Sequence, residues 1–461
     1  MKLHRRLLCT ALLLFQAAVL RAEVKVGNFK AQDVVRHPVI LIRGDVEPGA
    51  EKLTLRTVKG TAKPVESTGL VHEGKFKALL ELAPGDNTIE IKTERSGLPA
   101  KLRITYKPMT NPHYVRLIWL ADDQGNTDYA TPVEGYPQNY EDRTATAALL
   151  LQCFTAERMQ ELGYGRRTFR LETDRAGKVV VHTIKVPQPL KHYYEMGDGQ
   201  RIWGELNHFL NTRYPDKNAK NLALMSFTRK DPGTGRMLAH TALGGGNLGL
   251  FGSASVFSWP DKVESVQQAF LDDRKYDVSR VHDDSVGRGT YWGLASTTLG
   301  ATLHEMSHAF GLPHCQDDRC IMTRGFDRLN RFFTFSESLP GRKPEFFAAG
   351  SEAWLAPVSA SRLRWSPWFQ PEDPRNRPEP GPEIIFDAKK DRVTFESRAG
   401  IRVLGFWEGS DIRGFQEYKD KAPRKVTLTL EEISSLNGGK VPNKVTAVDE
   451  NGNDAGLDLK K

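Results

Sequence analysis

Residues 297–310 read TTLGATLHEMSHAF, and the chain continues through Gly311, Leu312 and Pro313 to His314. Leu299, Leu303, Met306 and Phe310 recur at helical spacing, which predicts a helix with one apolar stripe. Thr297 or Thr298 is placed to cap its start. His304 and His308 are four residues apart, so their imidazoles lie one turn apart on the same face and reach one ion. Glu305 sits beside the first of them and angles away from the ion, where it can orient and deprotonate a metal-bound water. Gly311 supplies the left-handed residue that ends a helix sharply, and the reversed chain brings in His314. Three neutral nitrogens and an open fourth position describe a catalytic zinc site, whereas a structural site would be closed. One catalytic Zn2+ is therefore expected on His304, His308 and His314, with Glu305 as general base. A single histidine on a helix is usually a satisfied core or surface residue. The five-position pattern HExxHxxGxxH, with its helix and its glycine, is far more specific.

The run HEMSHAFGLPH, followed by Cys320, Ile321 and Met322, resembles the metzincin clan of zinc peptidases. Their pattern is three histidines and a methionine turn beneath the metal, and here Met322 follows His314 at a short spacing like that of the matrixins. A closer resemblance is to a group of zinc metallopeptidases of fungi and bacteria that carry HExxHxFGxPH, then IMxRG and NRFF. Those motifs stand here at residues 304–314, 321–325 and 330–333, with a glycine-rich run before Ser258, Trp259 and Pro260 and a later RLRW at 362–365. The resemblance implies a zincin-like α/β catalytic domain, a protein or peptide substrate, endopeptidase activity, and supporting roles for Gly311 and Met322. Some metzincins place a tyrosine ligand two residues after the turn methionine. Arg324 stands there, so no tyrosine ligand is assigned and the group that stabilises the oxyanion stays open.

Outward from this segment the chain divides. Before residue 109, a buried-type apolar run at 39–42, an alternating run at 52–58 and further short strand-like runs (76–82, 88–91, 102–106) are separated by turn residues such as Pro48-Gly49 and Pro84-Gly85. That spacing predicts a small all-β sandwich over 23–108, similar to the immunoglobulin-like modules of exported bacterial proteins. Strands at 114–120, 178–186 and 222–227 alternate with helices at 144–162 and 201–211, an α/β order. The glycine run 244–246 leads into 248–259, and in the metzincin reading the strand after it is the edge strand that pairs with an extended substrate. A proline-rich linker at 371–382 precedes a second β domain with strands at 383–386, 392–395, 401–407 and 425–430. The expected architecture is α+β and multidomain: a metzincin-like domain over 109–372, flanked by the β domains 23–108 and 373–461.

Residues 1–22 carry Lys2, Arg5 and Arg6, then an apolar run ending in small residues near Ala22. This is a signal-peptide pattern, too short for a membrane span, so a secreted or periplasmic location is expected. No later stretch is apolar enough to span a bilayer, and no stable membrane insertion is expected once the leader is removed. Its loss lowers the formal charge of +8 by four, and so mild a balance gives no ground for a nucleic-acid partner. Cys315 and Cys320 flank a short acidic loop and can pair in an oxidising compartment. Cys153, in a helical pattern, reads as a buried free thiol. The remaining histidines (His113, His182, His192, His208, His240, His282) read as structural or exposed, and the acidic pairs at 272–273, 283–284 and 317–318 as solvated loop charge. Two other readings share the motif: a catalytically degenerate zinc-binding or adhesive protein acting through its β domains, and a zinc hydrolase of a non-peptide amide.

Overall fold

The computed structural model describes residues 24–60, 64–372 and 380–459. The leader at 1–22 and most of the proline-rich segment lie outside these. The protein is a mixed α/β chain built from several sheets.

The N-terminal strands form one continuous sheet whose two halves share Glu66–His72. That strand pairs with Leu53–Lys59 through Glu66 to Gly69 and with Lys75–Glu81 through Leu70 to His72. The halves enclose a common core that includes Ile40, Ile42, Leu55, Leu80, Ile91 and Ile104. Strand Val39–Asp45 explains the run VILI. Alternate side chains of a strand point to opposite faces: Ile40 and Ile42 enter this core, whereas Val39 and Leu41 enter the central one. Lys77, on the adjoining strand, is buried with Glu352 at 2.6 Å and also donates to the carbonyls of Arg331 and Thr334. Arg158 reaches the same Glu352 carboxylate at 2.6 Å. The N-terminal strands are therefore fused to the centre by an apolar face with a buried ionic rim.

At the centre is a five-stranded sheet in the order Val181–Lys185, Tyr114–Ala121, Ala219–Met225, Leu248–Gly252, Ala242–Gly245. The first four strands are parallel and the last is antiparallel. Leu117 and Trp119 face one core and Ile118 and Leu120 the other, as a sheet covered on both faces requires. Helices Tyr140–Glu161 and Tyr291–Ala309 cover one face. Leu190–Met196 and Gly199–Arg213 cover the other.

The strand after the glycine run, Leu248–Gly252, is internal, and the edge strand is Ala242–Gly245, which contains the first two glycines of that run. The histidine-bearing helix begins at Tyr291, capped by Thr290, whose hydroxyl accepts from the Gly293 amide at 3.2 Å. Thr297 and Thr298 lie inside it, and the Thr298 hydroxyl accepts from the Trp259 indole at 2.8 Å. The helix is buried nearly all round, so no amphipathic stripe marks where it starts. Trp292 is part of the buried start of the helix, and Tyr291 packs on Phe257 and Tyr276.

The C-terminal strands form a three-stranded and a four-stranded sheet around Val393, Phe395, Leu404, Phe406 and Val445. Strands Asp411–Glu417, Lys444–Asp449 and Asp454–Asp458, and the short strand Glu66–His72 near the N-terminus, add to those the sequence pattern predicts. No helix among the described residues is long and apolar enough to cross a membrane.

Candidate metal centre

The histidine helix lies against the sheet at a notch made by two glycines. Gly244 and Gly249 are direct partners across the antiparallel pair. A Cβ on Gly244 would stand 1.9 Å from the Glu305 carbonyl oxygen, and one on Gly249 3.0 Å from the Met306 amide nitrogen. The glycine run thus lets the edge strand touch the helix backbone at the residue that carries the candidate base.

The helix ends as its sequence requires. Gly311 has φ +80°; its amide donates to the His308 carbonyl at 2.9 Å, and the Leu312 amide donates to Ser307 at 3.0 Å. This paired closure satisfies the last carbonyls of the helix and turns the chain back, so that His314 faces His304 and His308.

The three imidazoles converge. His308 Nε2 is 3.1 Å from His304 Nε2 and 3.1 Å from His314 Nε2. Among the described residues, this is the group of His, Cys, Asp and Glu side chains whose ligand atoms gather tightly enough for an ion. His304 Nδ1 lies 2.8 Å from the Ile321 carbonyl, and His308 Nδ1 2.9 Å from that of Leu312. A carbonyl only accepts, so both Nδ1 atoms carry the proton and both Nε2 atoms present lone pairs. Burial holds His304 down to about 4 and lowers His308 as well, which keeps the rings neutral. The Nε2 lone pairs of His304 and His308, pressed together at 3.1 Å, repel unless a cation lies between them. Tetrahedral zinc with nitrogens at about 2.0–2.1 Å spaces its ligands about 3.3 Å apart. The donor set fits such an ion.

Glu305 is buried, and burial raises its carboxyl to about 7. Met322 is fully buried in the tight turn just after Ile321, where the amides of Thr323 and Gly325 both donate to the Cys320 carbonyl. Cys315 and Cys320 are disulfide-bonded, and Cys153 is a buried free thiol. The bond ties the residue after His314 to the residue before Ile321. Phe326 packs edge-on against His304 at 5.5 Å. Arg324 lies over Phe326 and pairs with Asp327.

The other histidines among the described residues stay apart from the trio: His182 pairs with Glu172 and His192 with Glu205, while His240 packs near His282. The loop acids satisfy local donors: Asp317 bonds Arg319, and Asp283 bonds Tyr276 and Ser285. Sequence reasoning missed the Ile321 and Leu312 carbonyls, because any residue can supply a carbonyl.

The family model described as "Putative peptidase family" matches residues 23–402. The chain belongs to this family. It is similar to a Schizosaccharomyces pombe protein named a "putative zinc metalloproteinase", 28% identical over 90% of this chain and 71% of that one. A Saccharomyces cerevisiae protein with the same description is 23% identical over 76% of this chain and 56% of its own length. Among solved structures, the chain is similar to OgpA of Akkermansia muciniphila, crystallised as a catalytically inactive form with an O-glycopeptide substrate. That match has 19% identity, covers 76% of this chain and 92% of that one, and has a TM-score of 0.45. An archaemetzincin of Methanopyrus kandleri matches at 17% identity over 47% of this chain and 87% of its own, with a TM-score of 0.22.

Proposed function

We propose that the chain is an exported zinc-dependent endopeptidase, with a metzincin-like catalytic domain over 109–372 between β domains at 23–108 and 373–461. The observation that carries this reading is the convergence of three imidazole nitrogens beside a buried carboxyl, next to a strand at the end of the sheet. The names of the fungal relatives agree with it.

Bound zinc would supply Lewis acidity to a carbonyl oxygen and lower the pKa of a water to about 7. Glu305 takes the proton of the attacking water as that water adds to the scissile carbonyl carbon. It returns the proton to the amine nitrogen as the C–N bond breaks. A group that both takes and gives a proton works best with its pKa near the working pH. Burial moves Glu305 upward, and a bound cation would move it back down. His304 and His308 are held in the ligating tautomer by the Ile321 and Leu312 carbonyls. Strand Ala242–Gly245 ends the sheet, so its outer side offers backbone groups on which an extended peptide can add as a further strand. Export is supported by the leader pattern at 1–22 and by the Cys315–Cys320 bond, since disulfides persist in oxidising compartments.

The test is peptide-library cleavage by the zinc-loaded chain beside Glu305→Ala. The expected result is cleavage within peptides by the wild type, and a variant that retains its metal but cleaves nothing. Cleavage by the variant contradicts the role of Glu305. A metal-loaded wild type that cleaves no peptide contradicts the peptidase reading.

A further inference from the structure

The third histidine differs from the other two. His304 and His308 ride on a helix, and each has its Nδ1 fixed by a carbonyl. His314 lies three residues beyond the left-handed Gly311, outside any regular element. Its backbone is held instead by a strand from the C-terminal part of the chain. His314 forms a parallel bridge with Asp411, and its carbonyl accepts from the Ile412 amide at 3.3 Å. Strand Asp411–Glu417 is the edge of the four-stranded sheet, so the segment bearing His314 continues that sheet by one bridge. The Ile412 side chain is buried in the central core, not the C-terminal one, which fixes the edge strand against the turn. Two residues past His314, the Gln316 side-chain amide faces Arg413; turned so that its oxygen meets the guanidinium, it accepts at 3.0 and 3.2 Å.

A second clamp acts on the turn itself. Arg362, in helix Pro357–Trp365, has a side chain only 6% exposed. Its guanidinium donates to the Gly311 carbonyl at 3.3 Å and to the Thr446 hydroxyl at 3.5 Å, and it pairs with the Asp454 carboxylate. Thr446 and Asp454 both belong to the four-stranded sheet. A buried guanidinium needs its carboxylate, so Asp454 keeps Arg362 aimed at the residue where the chain turns toward His314. Asp411, Ile412, Thr446 and Asp454 all lie beyond residue 402, where the match to the family model ends.

We propose that the C-terminal four-stranded sheet is part of the metal centre: its edge strand and the Arg362–Asp454 pair position His314 as the third ligand. This rests on the zinc reading above. Arg362, Asp454 and Arg413 are positioning residues, and the Ile412 amide acts through the His314 backbone.

The test measures zinc affinity of the full chain by chelator competition, with the visible spectrum of the cobalt(II) form and the thermal midpoint of the metal-free form. Asp454→Ala is expected to weaken zinc about tenfold or more, the size seen when groups that orient ligands are removed. It should also alter the cobalt spectrum. Arg413→Ala, at the partly exposed rim, is expected to weaken zinc severalfold with its metal-free midpoint unchanged, and it decides the matter if Asp454→Ala fails to fold. Glu396→Ala breaks the Lys425–Glu396 surface pair on the other C-terminal sheet and should leave affinity unchanged. Wild-type affinity and spectrum in both Asp454→Ala and Arg413→Ala overturn the proposal. A wild type that binds no zinc, or that binds it as well after His314→Ala, overturns the zinc reading itself and is told apart by that control.

Discussion

Gly244, Gly245 and Gly246 are consecutive, yet alanine should have three different effects along them. At Gly244 the added Cβ would stand 1.9 Å from the Glu305 carbonyl oxygen and 2.9 Å from its Cα. A carbon and a carbonyl oxygen settle at about 3.3 Å, so strand and helix must part by over about 1 Å. Both sides of the clash are backbone, and no rotamer relieves it. Overpacking a core costs about 1–3 kcal/mol, and Gly244→Ala is expected at or above the top of that range. At Gly245 the nearest atom is Trp203 Cζ2 at 3.7 Å, an ordinary contact. Gly245→Ala should be neutral or stabilising by up to about 1 kcal/mol, through the less flexible unfolded chain. Gly246 has open space but φ +54°, and alanine there costs about 1–2 kcal/mol. The assay is urea unfolding of the three variants at fixed zinc, followed by tryptophan fluorescence, with peptide cleavage in parallel. Gly244→Ala should unfold at the lowest urea and also lose cleavage, because the contact it breaks is at Glu305. Equal midpoints for Gly244→Ala and Gly245→Ala would refute the notch.

Glu352 sits against the buried Lys77 and Arg158. Glu352→Ala leaves the buried Lys77 without a carboxylate and Arg158 with Glu161 alone, and should cost about 3 kcal/mol in the same unfolding assay; a change below about 1 kcal/mol would show that the ionic rim is solvated. His37 is fully buried, and burial, with Arg166 nearby, holds it at about 3. The unfolded imidazole takes a proton near 6.5 and the folded one does not. Its contribution to stability is therefore complete above 6.5 and is lost as pH falls toward 3, by about 2 kcal/mol at pH 5. His37→Leu should flatten that acid limb of a pH–stability curve, and an unchanged slope would locate the acid sensitivity elsewhere. The Cys315–Cys320 bond closes a short loop and should contribute about 2 kcal/mol. The double serine variant should melt earlier and release zinc to a chelator faster, and wild-type release would separate the loop from the metal centre.

The candidate site was largely legible because its chemistry depends on side-chain identity at fixed spacing. His304, Glu305, His308, Gly311 and His314 can be read in order along the chain, and the structure brings the three histidines together. The helix start was misread because Tyr291–Ala309 is buried nearly all round. Without a polar face, periodicity gives no boundary, and two internal threonines imitated a cap. The glycine run showed that something came close to the backbone but not what, because its partner, the helix at Glu305, is far along the chain. Strands in the N-terminal part are visible through short apolar or alternating runs between turn residues. Glu66–His72 is not, because its side chains are largely half-exposed and carry no alternating pattern. The hold on His314 was invisible for a different reason. It uses the amide of Ile412, the carbonyl of Gly311 and a guanidinium within the RLRW run. Backbone donors and acceptors have no sequence signature.

The central claim is that His304, His308 and His314 hold one zinc ion. A crystal structure of the zinc-loaded chain, with anomalous scattering measured on both sides of the zinc edge, tests it directly. The account predicts one anomalous peak, about 2.0–2.1 Å from the Nε2 atom of each of the three histidines. A peak bound by fewer than these three, or none at the site in a chain saturated with zinc, would contradict it.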